Sequence, residues 1–488
     1  MCGVIGVIGP ESSDNESWAA YEVYNGLLNL QHRGQDAAGI LSFDKHRFHL
    51  KKNLGLVPNV FSQTDLEKMY GSMAVGHTRY ATTGADDVSD LQPMVTGLPF
   101  GLGMAHNGNL VNYFDMARHC EQELQIQLLS TNDLEIFLAL WCHILQQEGI
   151  PLHKKITFED AIRATKHIFS KVDGAYAVVG IMAQAGMFAF RDPKGVRPLV
   201  LGKKSSEKGD TYCIVSETAA LHFLGYEVVR DVAAGELIFI TPEGKFYSQI
   251  VQEEPKKAHC MFEWVYFAGA ESALDQRSVY RSRLNLGKVL AGRIQRAIDH
   301  GLIEPDIVCP VPDTSRPATI SLAEEIGIPY REAFIKNRYV QRSFILNTQE
   351  AREKAVQLKL SPIISEIRGK NILLVDDSIV RGTTSKNIVA LLQRYGAKKI
   401  SLAITCPPIR HGCFYGIDFP DPRELIASDK NIQEIADWIG VDQVIYLEPD
   451  DLYQAIDNQH LCMGCIKGVY PTRNQGSQEF TQKRRGNL

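Results

Sequence analysis

The sequence predicts two folded halves: an α+β half with antiparallel sheet, then an α/β half built on a parallel sheet. Three observations carry this expectation. Residues 1–250 hold many short runs of strand formers, separated by glycines and charged turns. From about residue 285 strand-like and helix-like runs alternate, as in strand–helix–strand crossovers. Between them the polar break VQEEPK, 251–256, interrupts both patterns. With 488 residues there is room for two large domains. The expected division is 2–250, 251–472 and a polar, frayed tail at 473–488.

In chain order, CGVIGVIG is the first expected strand, and apolar residues three or four apart make Ala19–Leu30 a helix. AAGILSF, FHLKK and AVGHTRYA read as strands, and Asp133–Gln147 as a second helix. Gly174–Phe190 reads as a hairpin turning at QAG, and YCIVSE and ELIFIT complete the first half. In the second half LGKVLAGRIQRAI and LAEEIG are helical and flank the strand PDIVCPVP. KNILLVDD, TSKNIVALLQRYG and KKISLAITC then repeat strand, helix, strand. The long polar stretch at 336–362 is unusual inside a compact domain and is expected to be a lid or binding loop.

A net charge of -5 excludes a general nucleic-acid binder held by a basic surface, but not a local basic pocket for a phosphorylated metabolite. Ten cysteines are too few for a disulfide scaffold, which leaves them as ligands, nucleophiles or core residues in a reducing, cytoplasmic setting. The opening apolar run is too short for a signal peptide. The long uncharged stretch Leu91–Phe114 is broken by Pro93 and Pro99, so no membrane span is expected.

The densest local motif is NILLVDDSIVRGTTSKNIV, 371–389. An apolar strand ends in Asp376 and Asp377, and a loop with Gly382, Thr383, Thr384 and Ser385 opens a helix. Carboxylates at the carboxyl edge of a parallel sheet can accept ribose hydroxyls or hold Mg2+. A glycine-containing loop at a helix N-terminus offers backbone N–H groups to a phosphate. The bland reading, a capped helix after a strand, explains a lone acidic pair but not the whole string. This segment resembles the phosphoribosyl pyrophosphate (PRPP) loop of type I phosphoribosyltransferases. The resemblance implies that Asp376 and Asp377 meet the ribose and one Mg2+ per subunit, and that Arg381–Ser385 cradle the 5-phosphate. Lys336, Arg338 and Arg342 can supply cations to the diphosphate. VPDTSRPA, 311–318, is similar to the family's pyrophosphate loop, with Thr314 at the metal-contacting hydroxyl.

Cys2 follows the initiator Met directly. Once Met is removed, an α-amine of pKa ~7.7–8.0 would stand beside a thiol of ~8.5, a pair able to form a nucleophilic thiolate. Alone this is weak. It gains weight from YNGLLNLQHRGQDAAGI (24–40), HTRYATTG (77–84) and AHNGNL (105–110). Arg79 can grip a carboxylate, and Asn107 with the Gly108 N–H can form an oxyanion hole.

The first half resembles an N-terminal-nucleophile glutamine amidotransferase domain, an α+β sandwich. Joined to a PRPP loop, the chain resembles the glutamine PRPP amidotransferase family, of the iron–sulfur-cluster-bearing type, from Cys2 to about Thr472. The family makes 5-phosphoribosylamine, glutamate and pyrophosphate from PRPP, glutamine and water, the committed step of purine synthesis. The resemblance implies Cys2 as nucleophile with Gly34 beside it, Arg79 and Asp133 as the glutamine clamp, and Asn107 and Gly108 as oxyanion donors. It also implies purine-nucleotide feedback and a homo-oligomer, dimer or tetramer, with neither nucleic acid nor membrane as partner. Two alternatives stay open: another Cys-nucleophile amidotransferase, such as a hexosamine-phosphate synthase, and a non-catalytic PRPP-binding paralogue.

Cys462 and Cys465 form a CxxC pair, which alone could be half a zinc site, a redox pair or part of an iron–sulfur site. Cys260 and Cys413 stand in the other two contexts that the family uses, which implies one 4Fe-4S cluster per subunit in a structural role. Cys120, Cys142, Cys213, Cys309 and Cys406 read as core residues. The chain departs from the family's usual RPDS at Gly269, Ala270 and Glu271, and in its loop at Gln341 and Gln357.

Overall fold

The computed structural model describes residues 1–10, 16–80, 87–98, 100–147, 156–337, 360–419, 422–474 and 476–485. The first half is two stacked antiparallel sheets. One has seven strands in the order 227–231, 200–206, 209–215, 3–8, 73–79, 37–43 and 48–54. The other has six, in the order 246–250, 236–240, 186–191, 174–182, 102–110 and 94–96.

Period-two alternation explains the stacking. In strand Gly3–Ile8, Val4 and Ile8 join the cluster between the sheets, which takes in Val179, Met187 and Ile238 from the facing sheet. Ile5 and Val7 point the other way, with Ala19, Val23 and Leu27 of helix Trp18–Asn29. The second sheet repeats the device: Ala177, Val179 and Ile181 face inward, while Tyr176, Val178 and Met182 meet helices Leu134–Gln147 and Phe158–Lys171. Both sheets are thus apolar on two faces, and the result is a helix–sheet–sheet–helix sandwich. Trp141 lies over Phe188 with ring centroids 4.4 Å apart, which fixes the outer helix on its sheet. The hairpin expected at 174–190 is present, Met182 pairing with Gly186.

The second half contains a parallel sheet, Ile307–Pro310, Asn371–Asp376, Lys399–Ile404 and Gln443–Tyr446 in that order. Ile372, Leu373, Leu374 and Val375 are all buried, as in a strand covered on both faces. Helices Val279–Asp299, Arg316–Ile326 and Thr383–Arg394 connect and cover it. Phe334–Lys336 and Leu360–Pro362 pair antiparallel and bring the two ends of the long polar stretch together. That stretch itself, 338–359, lies outside the described residues. It includes Arg338, Gln341, Arg342 and Gln357.

The tail expected to fray instead forms helix Ser477–Arg485. Phe480 is buried, and Glu479 pairs with Arg118 at 2.8 Å, so the segment has both an apolar and an ionic anchor. No helix among the described residues is long and apolar enough to cross a membrane.

Candidate active site

Two polar sites lie near one another, and Tyr80 borders both. The first surrounds Cys2, at the start of an inner strand of the seven-stranded sheet. Its sulfur lies 3.9 Å from the Tyr80 carbonyl oxygen. The Cys2 N–H donates to Asn107 Oδ1 at 3.2 Å, across the two sheets. This leaves Asn107 Nδ2 buried and without a partner among the described residues, a donor available to an oxygen atom of a substrate. Gly108, at φ 152°, continues the strand where a Cβ would stand 2.0 Å from the Ala175 carbonyl oxygen. Gly34 is needed for the same reason on the other side: its Cβ would lie 2.6 Å from the backbone of Thr78 and Arg79.

The pocket beside Cys2 is lined by Arg79, His106, Gly108, Asn132, Asp133 and Phe480 among others. Asp133 Oδ2 accepts from the Leu110 N–H at 2.9 Å. Its Oδ1 lies 3.2 Å from His106 Nε2, off the line of a hydrogen bond. Arg79 closes strand Met73–Arg79, and its carbonyl accepts from the Asp36 N–H at 3.0 Å. A guanidinium and a carboxylate on one pocket wall match the two charges of an α-amino acid.

Behind Cys2 is an ionic network that the sequence did not announce. Arg33 donates from Nε to the Cys2 carbonyl at 3.1 Å, from Nη2 to Glu263 Oε1 at 2.8 Å, and from Nη1 to Glu217. Arg197 Nη1 lies 3.6 Å from Glu263 and its Nη2 donates to the Tyr415 carbonyl. All four side chains are buried. Two guanidinium and two carboxylate groups balance, which is what allows burial. Burial opposes ionisation of Glu217, but His32 and Arg33 hold its carboxyl far below the usual range. The same surroundings act on the α-amine of Met1, which burial lowers to about 6 with help from Arg197 and Arg33 and against the Cys2 charge.

The second site is at the carboxyl end of the parallel sheet. Asp376 ends its strand, and Gly382 precedes helix Thr383–Arg394. Thr314 Oγ1 donates to Asp377 Oδ2 at 2.5 Å, and Ser378 Oγ to Oδ1 at 2.8 Å. Burial raises both acids. The Asp377 charge raises Asp376 further, while Thr314, Ser378 and Arg283 work against the rise at Asp377. Such a pair calls for a cation. One cavity brings Thr314, Lys336, Asp376, Asp377 and Arg381–Ser385 together. Lys336 pairs with Asp313 at 2.9 Å, and Arg381 with Glu424 at 2.6 Å. Arg283, buried near these acids, is a cation that sequence reasoning missed. Only its four-residue spacing from Val279, at the start of the same helix, hinted that it faces inward.

Cys260 and Cys462 are register partners in a short parallel pair, His259–Cys260 with Leu461–Cys462. Cys260, Cys413, Cys462 and Cys465 are all buried. Burial pushes Cys260 up to about 11, Arg197 opposes, and the charges of Glu263 and Cys413 add to the rise. Burial also raises Cys465, which then feels the charges of Cys413, Cys406, Cys462 and Cys260. Deprotonated together, these four cysteines could offer four thiolates to a metal cluster. Even so, among the described residues no three His, Cys, Asp or Glu already stand in metal-holding geometry. The five cysteines expected in the core are buried.

Comparison with known proteins adds two matches to family models: a glutamine amidotransferase domain over residues 77–223 and a phosphoribosyl transferase domain over 280–447. The amidophosphoribosyltransferases of Pseudomonas aeruginosa and Escherichia coli are each 41% identical, over 97% and 98% of this chain and 93% and 95% of theirs. That of Methanocaldococcus jannaschii is 41% identical, covering 97% of this chain and 98% of its own. The solved glutamine PRPP amidotransferase of B. subtilis, complexed with ADP and GMP, is similar at TM-score 0.83 and 36% identity, over 97% of this chain and 98% of that one. A structure of the allosteric regulatory enzyme of purine biosynthesis aligns at TM-score 0.84 and 36% identity, with 97% of each chain covered.

Proposed function

This chain belongs to the amidophosphoribosyltransferase family, and on that premise we propose how its residues divide the family's reaction. The enzyme is a phosphoribosyltransferase with glutamine amidotransferase activity in purine biosynthesis. It converts PRPP, glutamine and water to 5-phosphoribosylamine, glutamate and pyrophosphate.

In the first half-reaction the Cys2 thiolate attacks the glutamine side-chain amide. Arg79 holds the substrate's α-carboxylate and Asp133 its α-amine. Asn107 Nδ2 and the Gly108 N–H donate to the tetrahedral oxyanion, an arrangement typically worth ~3–4 kcal/mol per donor. The orphaned Nδ2 beside the nucleophile is the observation that carries this reading. The base is the α-amine that Met removal gives Cys2. The α-amine present is that of Met1, which burial, Arg197 and Arg33 shift toward its neutral form, and the same surroundings would act on the Cys2 amine. Ammonia leaves, a γ-glutamyl thioester remains, and water releases glutamate.

In the second half-reaction Asp376 and Asp377 meet the ribose, Arg381–Ser385 hold the 5-phosphate, and Lys336, Arg338 and Arg283 balance the diphosphate. Asp376, Asp377 and Thr314 would hold Mg2+, which neutralises charge on the leaving pyrophosphate. Ammonia then displaces pyrophosphate at the anomeric carbon. Cys260, Cys413, Cys462 and Cys465 would hold a 4Fe-4S cluster, which would fasten residues 462–465 to the segment carrying Cys260. We extend to this chain a cytoplasmic setting, homo-oligomeric assembly and purine-nucleotide feedback, the last because the B. subtilis relative binds ADP and GMP.

Two experiments test these assignments. Asp133→Asn should raise KM for glutamine by about tenfold or more through loss of a charge-assisted contact, with ammonia-driven turnover kept. An unchanged KM would remove Asp133 from the glutamine site. Anaerobically purified protein should carry iron and acid-labile sulfide in equal amounts, and Cys465→Ser should lose both and melt earlier. A colourless, iron-free protein of full activity would end the cluster proposal.

A further inference from the structure

A third cavity, of about 590 Å3, shares no lining residue with the Cys2 pocket or the PRPP cavity. It runs along Gln443–Tyr446, the edge strand of the parallel sheet, and is also lined by the last turns of helix Val279–Asp299 and by residues 407–410. Its volume suits a small organic ligand. Neither half-reaction uses it.

The buried part of its wall is Ala297, Pro407, Val444, Leu447 and Ile466, all apolar, together with Tyr446. The Tyr446 hydroxyl is buried and has no hydrogen-bond partner among the described residues. Burial and Cys406 raise its pKa and Arg410 opposes them, so the hydroxyl stays protonated at neutral pH with a guanidinium close by. A buried phenol without an acceptor costs free energy that an acceptor on a ligand would recover.

Cations gather at the rim, and their partners decide the charge of the ligand. Arg293 is matched by Glu448 and by Asp451, each at 2.8 Å, and Lys467 lies 3.6 Å from Asp450. Arg296 and Arg410, both exposed, have no acidic partner among the described residues. Two uncompensated guanidinium groups fit a dianion better than a lone carboxylate, and a phosphate monoester carries about -1.5 to -2 charges at pH 7. An apolar wall with one buried hydroxyl offers few partners to the sugar hydroxyls and base edges of a nucleotide.

We propose that this cavity binds a phosphate monoester of an apolar alcohol. Arg296 and Arg410 hold the phosphate, the Tyr446 hydroxyl donates to one of its oxygens, and the apolar body lies on Val444, Leu447 and Ile466. The ligand would also brace the 407–410 segment, where the Arg410 and His411 N–H groups donate to the Cys465 carbonyl at 3.0 and 2.9 Å. The inference does not depend on the assignment of either half-reaction.

The test uses phenyl phosphate as probe, titrated calorimetrically into full-length holoenzyme. PRPP and Mg2+ fill the PRPP site, and glutamine and ammonium are left out. Wild type should bind one equivalent per chain with a Kd of about 1 mM or lower, and should melt later as the cavity fills. Inorganic phosphate, which lacks the apolar body, and benzoate, which lacks the second charge, should each bind about tenfold or more weakly. Arg296→Gln and Arg410→Gln should each weaken phenyl phosphate by about tenfold, and Tyr446→Phe by about threefold to tenfold. Ammonium-driven pyrophosphate release should stay within about twofold of wild type in all three, which shows that they fold.

No saturable binding to wild type would overturn the proposal. So would unchanged affinity in both arginine variants, or inorganic phosphate or benzoate binding as tightly as phenyl phosphate. If Tyr446→Phe does not fold, the two exposed arginines decide.

Discussion

Cys2→Ser should abolish glutamine-driven formation of phosphoribosylamine, by at least about a thousandfold or ~4 kcal/mol of transition-state stabilisation. Serine keeps the size and the residue-2 nitrogen that donates to Asn107, so the sandwich should stand. It lacks an accessible thiolate, and an α-amine is too weak a base to ionise a hydroxyl. Ammonium-driven turnover should survive, because it starts at the second site. Glutamate release and pyrophosphate release, measured separately, check the split. Retained glutamine-driven activity in Cys2→Ser would remove the nucleophile from the account.

Asp376→Asn and Asp377→Asn should each cost about a hundredfold or more with either nitrogen source, because both routes end at the same ribose. The same substitutions should raise the melting temperature of the ligand-free protein. The sign follows from linkage. A carboxyl whose folded-state pKa lies above its unfolded value of ~3.9 binds its proton more tightly when folded. Its contribution is fully present below about pH 4 and is lost as pH climbs through the raised value. Burial and mutual repulsion raise this pair, so at neutral pH it is a cost to folding. Asparagine removes one of the two charges, and bound Mg2+ should remove the repulsion reversibly. Wild type should therefore melt later with Mg2+ and PRPP, and the gain should shrink in acid as protons compete for the pair. Calorimetry from pH 5 to 8 checks both signs. A lower melting temperature in the asparagine variants would mean that the pair is structural.

What the sequence disclosed was whatever lies together along the chain. The Asp376–Ser385 string was legible because strand end, acids, glycine and helix start are consecutive. The glutamine site needed three separated strings, and still its residues could be named, since Asn107 and Gly108 share a strand and Arg79 ends another. The ionic network was not legible. Arg33 finds Glu217 184 residues away and Glu263 230 away, and lone charged residues in a sequence look like surface. The tail misled for a related reason: its polar composition hides one aromatic, Phe480, which the fold places against the Cys2 pocket. The cysteine contexts were legible from the family's pattern, and only the fold adds that Cys260 and Cys462 are register partners.

The central claim is that one chain releases ammonia at Cys2 and consumes it at Asp376 and Asp377. Amide-15N glutamine supplied with PRPP and Mg2+, in the presence of unlabelled ammonium, tests this most directly. Glutamate, pyrophosphate and the isotope of the product amine are measured in the same reaction. The account predicts one 15N-labelled amine per glutamate released, in addition to any unlabelled amine that ammonium forms directly at the second site. Glutamate released without a matching amount of 15N-labelled amine, its label lost to the ammonium of the solution, would contradict it.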